Sequence, residues 1–324
     1  MSGTLPTPNY QIVKKILLGG QGGWDYLTLD SVARRLYITR STKVIVLNVD
    51  TGLVVGEIPD TAGVHGVAIA RELGRGFTSN GKAATATIFD LKTLQVIGQV
   101  KTGYKPDAIV YDPVSQKVFT FNGLSNSATV FDAKTTKLLG TIALGGKPEF
   151  AVADGLGQIF VNLEDRNEVV AINASNLKLR QHWALKPCSE PSGIAIDKQH
   201  RRLFIGCRNQ VMSVVDANTG IIKATLTIGK GTDAIAYDPV TGLAFSSNGE
   251  GSLTVVHEDS PDKFRIVNNV VTQPGARTMA LDLKTHKLYL ATAKFQATST
   301  PVPGQVRSRP PIIPGTFVIL VLGD

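Results

Sequence analysis

The stretch KPDAIVYDPVSQKVFTFN at residues 105–122 returns, lightly edited, as GTDAIAYDPVTGLAFSSN at residues 231–248. Each copy carries an acidic residue at its head, runs through strand-forming residues to Asp-Pro, and closes on a second apolar run ending in Asn. Apolar runs rich in β-branched and aromatic residues, bounded by turn residues, read as a hairpin. The first half of the phrase recurs seven times, closing at Asp30, Ala70, Asp112, Asp154, Asp197, Asp238 and Asp282, with spacings of 40, 42, 42, 43, 41 and 44 residues. A second marker keeps the same beat: Asn48, Asp90, Asp132, Asn173, Asp216 and His257 close runs such as VIVLN and ATVFD. Asp and Asn in such places turn the chain by hydrogen bonding to their own backbone.

A third run (LYIT, VFTF, LYLA) and a weaker fourth (LVVGEI, KLLGTI) give four short strands per unit. Four strands at a period near 42 are the signature of a β-propeller blade. The sequence therefore predicts an all-β, single-domain, seven-bladed propeller over residues 1–324. Blades fall near 21–60, 61–102, 103–144, 145–187, 188–228, 229–272, and 273–324 joined by 9–19. The last unit stops after its third strand, FVILVL, while YQIVKKILL near the N-terminus is an orphan strand. Joined, they complete blade 7 and close the ring; an open solenoid would instead need caps at both ends.

The ends of the second strands, YITR (37–40), FTSN (77–80), FTFN (119–122) and FSSN (245–248), resemble the YVTN-repeat family of bacterial propellers, the YncE-like proteins. The resemblance covers nearly the whole chain. It implies the propeller fold, and an activity drawn from binding proteins or propeller lactonases. It also implies an exported protein, periplasmic or secreted. The Trp-Asp pair of WD40 propellers is absent from the third-strand position; Trp24-Asp25 opens a first strand instead.

A hydrophobic content of 43% with 19% charged residues describes a chain able to bury a core. The formal charge of +8 suits nucleic acid, an anionic membrane surface or an acidic ligand, yet the Lys and Arg residues are scattered and form no basic run. No apolar stretch is long enough to span a membrane. The opening MSGTLPTPNYQIVKK lacks the blocks of a secretory signal, which leaves a cytoplasmic location as the alternative to a trimmed export signal. A monomer is expected. Cys188 and Cys207 fall on the same end of one blade, and spacing alone does not fix whether they pair.

In an antiparallel pair the start of the first strand lies beside the end of the second, so the acidic heads and Asn tails meet on one face. Counting five residues back from each turn gives a head ring of Asp25, His65, Asp107, Glu149, Ser192, Asp233 and Arg277. The residues closing the second strands give a tail ring of Arg40, Asn80, Asn122, Leu163, Cys207, Asn248 and Thr292. First strands are innermost in a propeller, so the head ring surrounds the channel mouth. Four carboxylates against one Arg give it a charge of about −3 with His65 neutral, enough to raise carboxyl pKa values or recruit a cation.

The expected metal ligands are Asp25, His65, Asp107, Glu149 and Asp233. Ca²⁺ suits carboxylates with Asn carbonyls, whereas His65 admits Zn²⁺. A small-molecule or protein ligand is the other expected occupant, held by Trp24, Asp25, Arg40, Asn80, Tyr104, Asn122, Asp233 and Asn248. Residues 293–314 carry about twenty extra residues rich in Pro, a candidate lid from which Arg307 and Arg309 would reach over the mouth.

No GxSxG elbow, Walker A loop or dinucleotide fingerprint is present. His200 and His286 fall in turns of the opposite face, and His182 and His257 fall on outer strands. If the chain is an enzyme, its chemistry comes from the rings: His65, Asp107 or Glu149 as acid or base and Arg277 or Arg40 for an oxyanion. Lactone or ester hydrolysis, metal-assisted or not, or an isomerisation, stands beside simple ligand binding, with nucleic-acid binding by the basic surface a third reading.

Overall fold

The computed structural model describes residues 9–296 and 310–324. They form seven four-stranded antiparallel sheets, each with its strands in sequence order from the channel outward, except the last. In that sheet Thr278–Asp282, Lys287–Thr292 and Val318–Gly323 supply three strands, and Gln11–Leu17 adds the outermost, pairing Gln11 with Gly323 and Leu17 with Val318. The predicted closure of blade 7 is what holds the ring shut. The described residues contain no α-helix; a single 3₁₀ turn, Arg71–Leu73, stands where blade 2 has Ala70 in place of the turn Asp.

Why hairpins form at these positions is visible in the turns. Asp112, Asp154, Asp197, Asp238 and Asp282 are buried, and each accepts backbone N–H groups from the residues two to four ahead. Asn48, Asp90, Asp132, Asn173 and Asp216 do the same between the third and fourth strands. Each buried carboxylate thereby satisfies donors that a sharp turn would otherwise orphan.

Packing follows the same sevenfold logic. The apolar residues form seven clusters, one between each pair of adjacent blades, including Leu36, Ile38 and Ile319 between blades 1 and 7. Phe77, Phe119, Phe160, Phe204 and Phe245 occupy equivalent places on the second strands and are fully buried. The buried apolar contacts are therefore distributed around the ring, each core shared by two neighbouring blades.

Candidate functional site at the channel mouth

The first strands are not regular at their head residues. In blades 2 to 6 the register slips at this point, between Val64 and Gly66, Pro106 and Ile109, Pro148 and Ala151, Pro191 and Ile194, and Thr232 and Ala234. His65, Asp107, Glu149, Ser192 and Asp233 lie inside those slips. In blades 1 and 7 pairing begins only at Leu27 and Thr278, just after Asp25 and Arg277. A bulge frees a residue from the ladder and re-aims its side chain, so in blades 2 to 6 the head residue is released from the ladder, and in blades 1 and 7 it precedes it. Their freed carbonyls are taken by neighbouring blades: Asp25 accepts from Thr278 at 2.8 Å, Ser192 from Asn162 at 2.8 Å, Arg277 from Ser247 at 2.5 Å, and Asp107 from Ser79.

The channel is floored beneath this ring. Tyr26 of blade 1 crosses to blade 6, donating its hydroxyl to the Asp233 carbonyl at 2.8 Å, and its ring stacks on Phe150 of blade 4 at 4.2 Å. The mouth is thus a cup with an aromatic floor. Two cavities of about 600 and 650 Å³ open in it, sharing Gly23, Trp24 and Arg277. The described stem of the Pro-rich segment borders the second cavity through Phe295, Pro310 and Ile312, with Phe295 and Ile312 bridged across the stem. Arg307 and Arg309 lie outside the described residues.

Within the cup, His65 Nδ1 sits 2.5 Å from Asp25 Oδ2 and 3.2 Å from Asp107 Oδ1. One donor atom from each of these three residues lies within 4.8 Å of the others, a set able to hold a metal ion. Burial depresses the imidazolium, but Asp25 and Asp107 outweigh it and raise the His65 pKa. Burial pushes Asp107 up to about 6, against the pull of His65. Burial, with Asp107 and Glu164 nearby, pushes Glu149 up to about 8. Asp233 is also raised by burial, against the pull of Arg277, whose Nε lies 2.5 Å from Oδ2.

Four charged partners escaped the sequence reading. Lys105 lies 4.0 Å from Asp107, Lys147 lies 3.8 Å from Glu149, and Arg208 meets Glu164 at 2.8 Å and Glu149 at 4.0 Å. Five carboxylates therefore face four permanent cations, and the excess negative charge expected of the mouth falls to about one with His65 neutral. The signal was present: Lys-Pro-Asp at 105–107 and Lys-Pro-Glu at 147–149 place a Lys two residues ahead of the acid in blades 3 and 4.

The tail ring is a correction. Asn80, Asn122 and Asn248 are fully buried and face the neighbouring strand, not the cup. Asn80 donates to Thr85 and Thr87, Asn122 to Ser127 and Thr129, and Asn248 to Ser252 and Thr254, at 2.8–3.1 Å. Their side-chain carbonyls accept from Thr78, Thr120 and Ser246. These residues are knots between the second and third strands. Arg40 is likewise internal: its guanidinium binds the carbonyls of Gly19, Gln21, Gly22 and Gly23, lies 3.9 Å above the Phe317 ring, and is lowered to about 10 by burial. It pins the loop leading to Trp24 and is not free for an oxyanion.

Trp24 lines both cavities but leans on Phe295 and Phe317, at 6.1 and 5.2 Å, so it joins the mouth to the stem. Tyr104 is 73% exposed at the rim of the first cavity. Cys188 and Cys207 form a disulfide across a Cα separation of 5.5 Å, closing the question left by their spacing. It ties the loop entering blade 5 to the strand end that precedes Arg208.

Solved structures share this fold at low sequence identity. A Kuenenia stuttgartiensis hydrazine synthase chain superposes with a TM-score of 0.73 at 14% identity, covering 89% of this chain and 96% of that one. The RRP9 WD40 repeats give 0.79 at 10% identity, covering 98% and 99%, and U3-55K gives 0.77 at 10% identity, with the same coverage. The chain is a seven-bladed β-propeller. At these identities the likeness is one of fold alone. No protein-family model and no curated protein matches the sequence.

Proposed function

We propose that the protein is a ligand-binding propeller of the YVTN-repeat kind, whose site is the floored cup and whose ligand presents positive charge to Asp25, His65 and Asp107. The observation that carries this reading is the convergence of those three donors at the starts of the first strands, where His65 and Asp107 sit in bulges and Asp25 precedes the ladder. A carboxylate pair held over an apolar floor is poorly solvated, and a cation relieves it.

Both a metal ion and an ammonium group fit that description. Between metals, the donor set favours a Zn²⁺-like ion over Ca²⁺. The Asn oxygens that would build an oxygen-rich shell are engaged with hydroxyls, while His65 supplies a nitrogen. The disulfide supports the exported, oxidising location implied by the family resemblance.

Asp107→Ala combined with Glu149→Ala is expected to keep the fold and to lose one equivalent of Zn²⁺, measured by equilibrium dialysis of untagged protein, or the thermal shift given by an ammonium ligand. Unchanged uptake and unchanged shifts in the double variant would remove the cup from consideration.

A hydrolase is the second reading, favoured by one observation. The Asp25–His65 contact orients an imidazole as a base, while Glu149 retains a proton near neutrality and so offers an acid. Turnover of a lactone and ester panel, abolished by His65→Ala, would support it.

A further inference from the structure

On the face opposite the mouth, four of the six turn carboxylates meet a basic side chain from the adjoining blade, three of them an Arg and one a His, while Asp112 and Asp197 do not. Arg71 meets Asp30, Arg201 meets Asp154, His286 meets Asp238 and Arg34 meets Asp282, at 2.6–2.8 Å. Arg34, Arg201 and His286 each stand four residues after their own blade's turn Asp. In blade 6 that position is Gly242, so Asp197 of blade 5 receives no cation across its interface.

A second carboxylate arrives instead. The third and fourth strands of blade 6, Ser252–Ser260 and Lys263–Val271, are nine residues each, whereas the other third strands have six. The extension carries Glu258 against Asp197, with both side chains only 2% exposed. Glu258 Oε2 accepts from the Tyr237 hydroxyl at 2.7 Å. Its Oε1 is buried and has no hydrogen-bond partner.

His200 completes the group. Its Nδ1 lies 2.6 Å from Asp197 Oδ2 and 3.2 Å from Glu258 Oε1, yet the angles make neither approach a hydrogen bond, and Nδ1 too is buried without a partner. Arg202, the nearest guanidinium, is committed to Asp216 at 2.7 Å, the Pro261 carbonyl at 2.6 Å and Asp262 at 3.2 Å. Two buried carboxylates and an imidazole nitrogen therefore aim at one point where no permanent cation stands.

We propose that Asp197, His200 and Glu258 form a binding site for a divalent transition-metal ion of the Zn²⁺ class, joining blades 5 and 6. The donors are one nitrogen and two carboxylate oxygens, which suits Zn²⁺ better than Ca²⁺ or Mg²⁺. Ligands about 2.0–2.1 Å from a tetrahedral ion stand roughly 3.3 Å apart. The 3.2 Å pair already has that separation, and the 2.6 Å pair opens by turning the His200 ring, whose side chain is 34% exposed and so has room to move. Tyr237 orients the Glu258 carboxylate from behind, as outer-shell donors do.

The site is independent of the mouth, and the test keeps the two apart. Untagged full-length protein carrying Asp107→Ala is dialysed against Zn²⁺ alone, and in parallel titrated with Co²⁺ for the visible absorption of a tetrahedral ion. One equivalent of Zn²⁺ and a tetrahedral Co²⁺ spectrum are expected. Adding His200→Gln or Glu258→Gln is expected to weaken uptake at least tenfold and abolish the spectrum. His200 lies at the surface, so its variant reports on the site even if the buried Glu258→Gln change disturbs folding. Absence of uptake in the Asp107→Ala protein, or uptake that survives both second substitutions, would overturn the proposal.

Discussion

Glu149 lies 3.8 Å from the Lys147 ammonium and 4.0 Å from Arg208, and it still titrates near 8. Desolvation over the aromatic floor, with Asp107 and Glu164 alongside, outweighs both cations. The direction fixes a pH dependence. A carboxyl whose pKa is raised on folding binds more protons in the native state, so its contribution is complete below the unfolded value of 4.5 and is lost as pH rises toward 8. Asp107 and His65 are shifted the same way. Glu149→Gln mimics the protonated form at every pH. It is expected to match the wild-type melting temperature near pH 4.5 and to exceed it at pH 8 by a few degrees, corresponding to about 1–2 kcal/mol. Thermal melts across that range check it; a variant less stable than wild type at pH 8 would mean the ionised carboxylate is favourable where it sits. On the proposed reading, Zn²⁺ uptake at the mouth is expected to release protons and to tighten as pH rises from 6 to 8, measured by equilibrium dialysis across that range.

At the scale of the strand, the repeated hairpin was legible because its turn Asp residues and apolar runs are local signals, each repeated with little change. The head ring was legible for a subtler reason. Counting five residues back from each turn ignores the bulge, but the slip recurs in blades 2 to 6 and the count therefore meets equivalent residues. What could not be counted is direction. Asn80, Asn122 and Asn248 end strands on the mouth face yet turn inward, because a hydroxyl two residues before and two on the next strand satisfy the amide completely. That pattern, Ser or Thr two ahead of Asn with hydroxyls following, was in the sequence and reads as structure once the register is known. Asn122→Ala is accordingly expected to cost about 2 kcal/mol, since it removes an amide from Ser127 and Thr129 in a buried site. Zn²⁺ uptake should be unaffected. Denaturant unfolding with parallel dialysis tests both halves; loss of uptake at unchanged stability would return Asn122 to the mouth.

At the scale of the molecule, closure depends on one strand. Gln11–Leu17 covers the edge of Val318–Gly323, and Ile16 within it and Tyr10 just before it enter the interface cores. Tyr10 packs edge-on against Phe245 at 5.1 Å and donates to the His286 carbonyl at 2.8 Å, reaching from blade 7 to blade 6. Each blade–blade core is buried only while its two blades stay in contact, so losing this strand loosens blade 7 and, through it, two interfaces. Truncation through Leu17 removes burial of at least two large side chains, about 5 kcal/mol, and bares a strand edge. A fall of more than about 10 °C in melting temperature is expected. Sequence position itself should not matter. Asn9 donates its backbone N–H to the Asp324 side chain, and Gln11 pairs with Gly323, so the two ends already meet as a hairpin lacking its turn. A circular permutant that omits residues 1–8, links Asp324 to Asn9 through two residues and begins at Gly19 is expected to melt within about 5 °C of the parent, because it keeps every contact among the described residues. Melting of the permutant as low as that of the truncation would show that the strand stabilises the ring by some means other than completing blade 7.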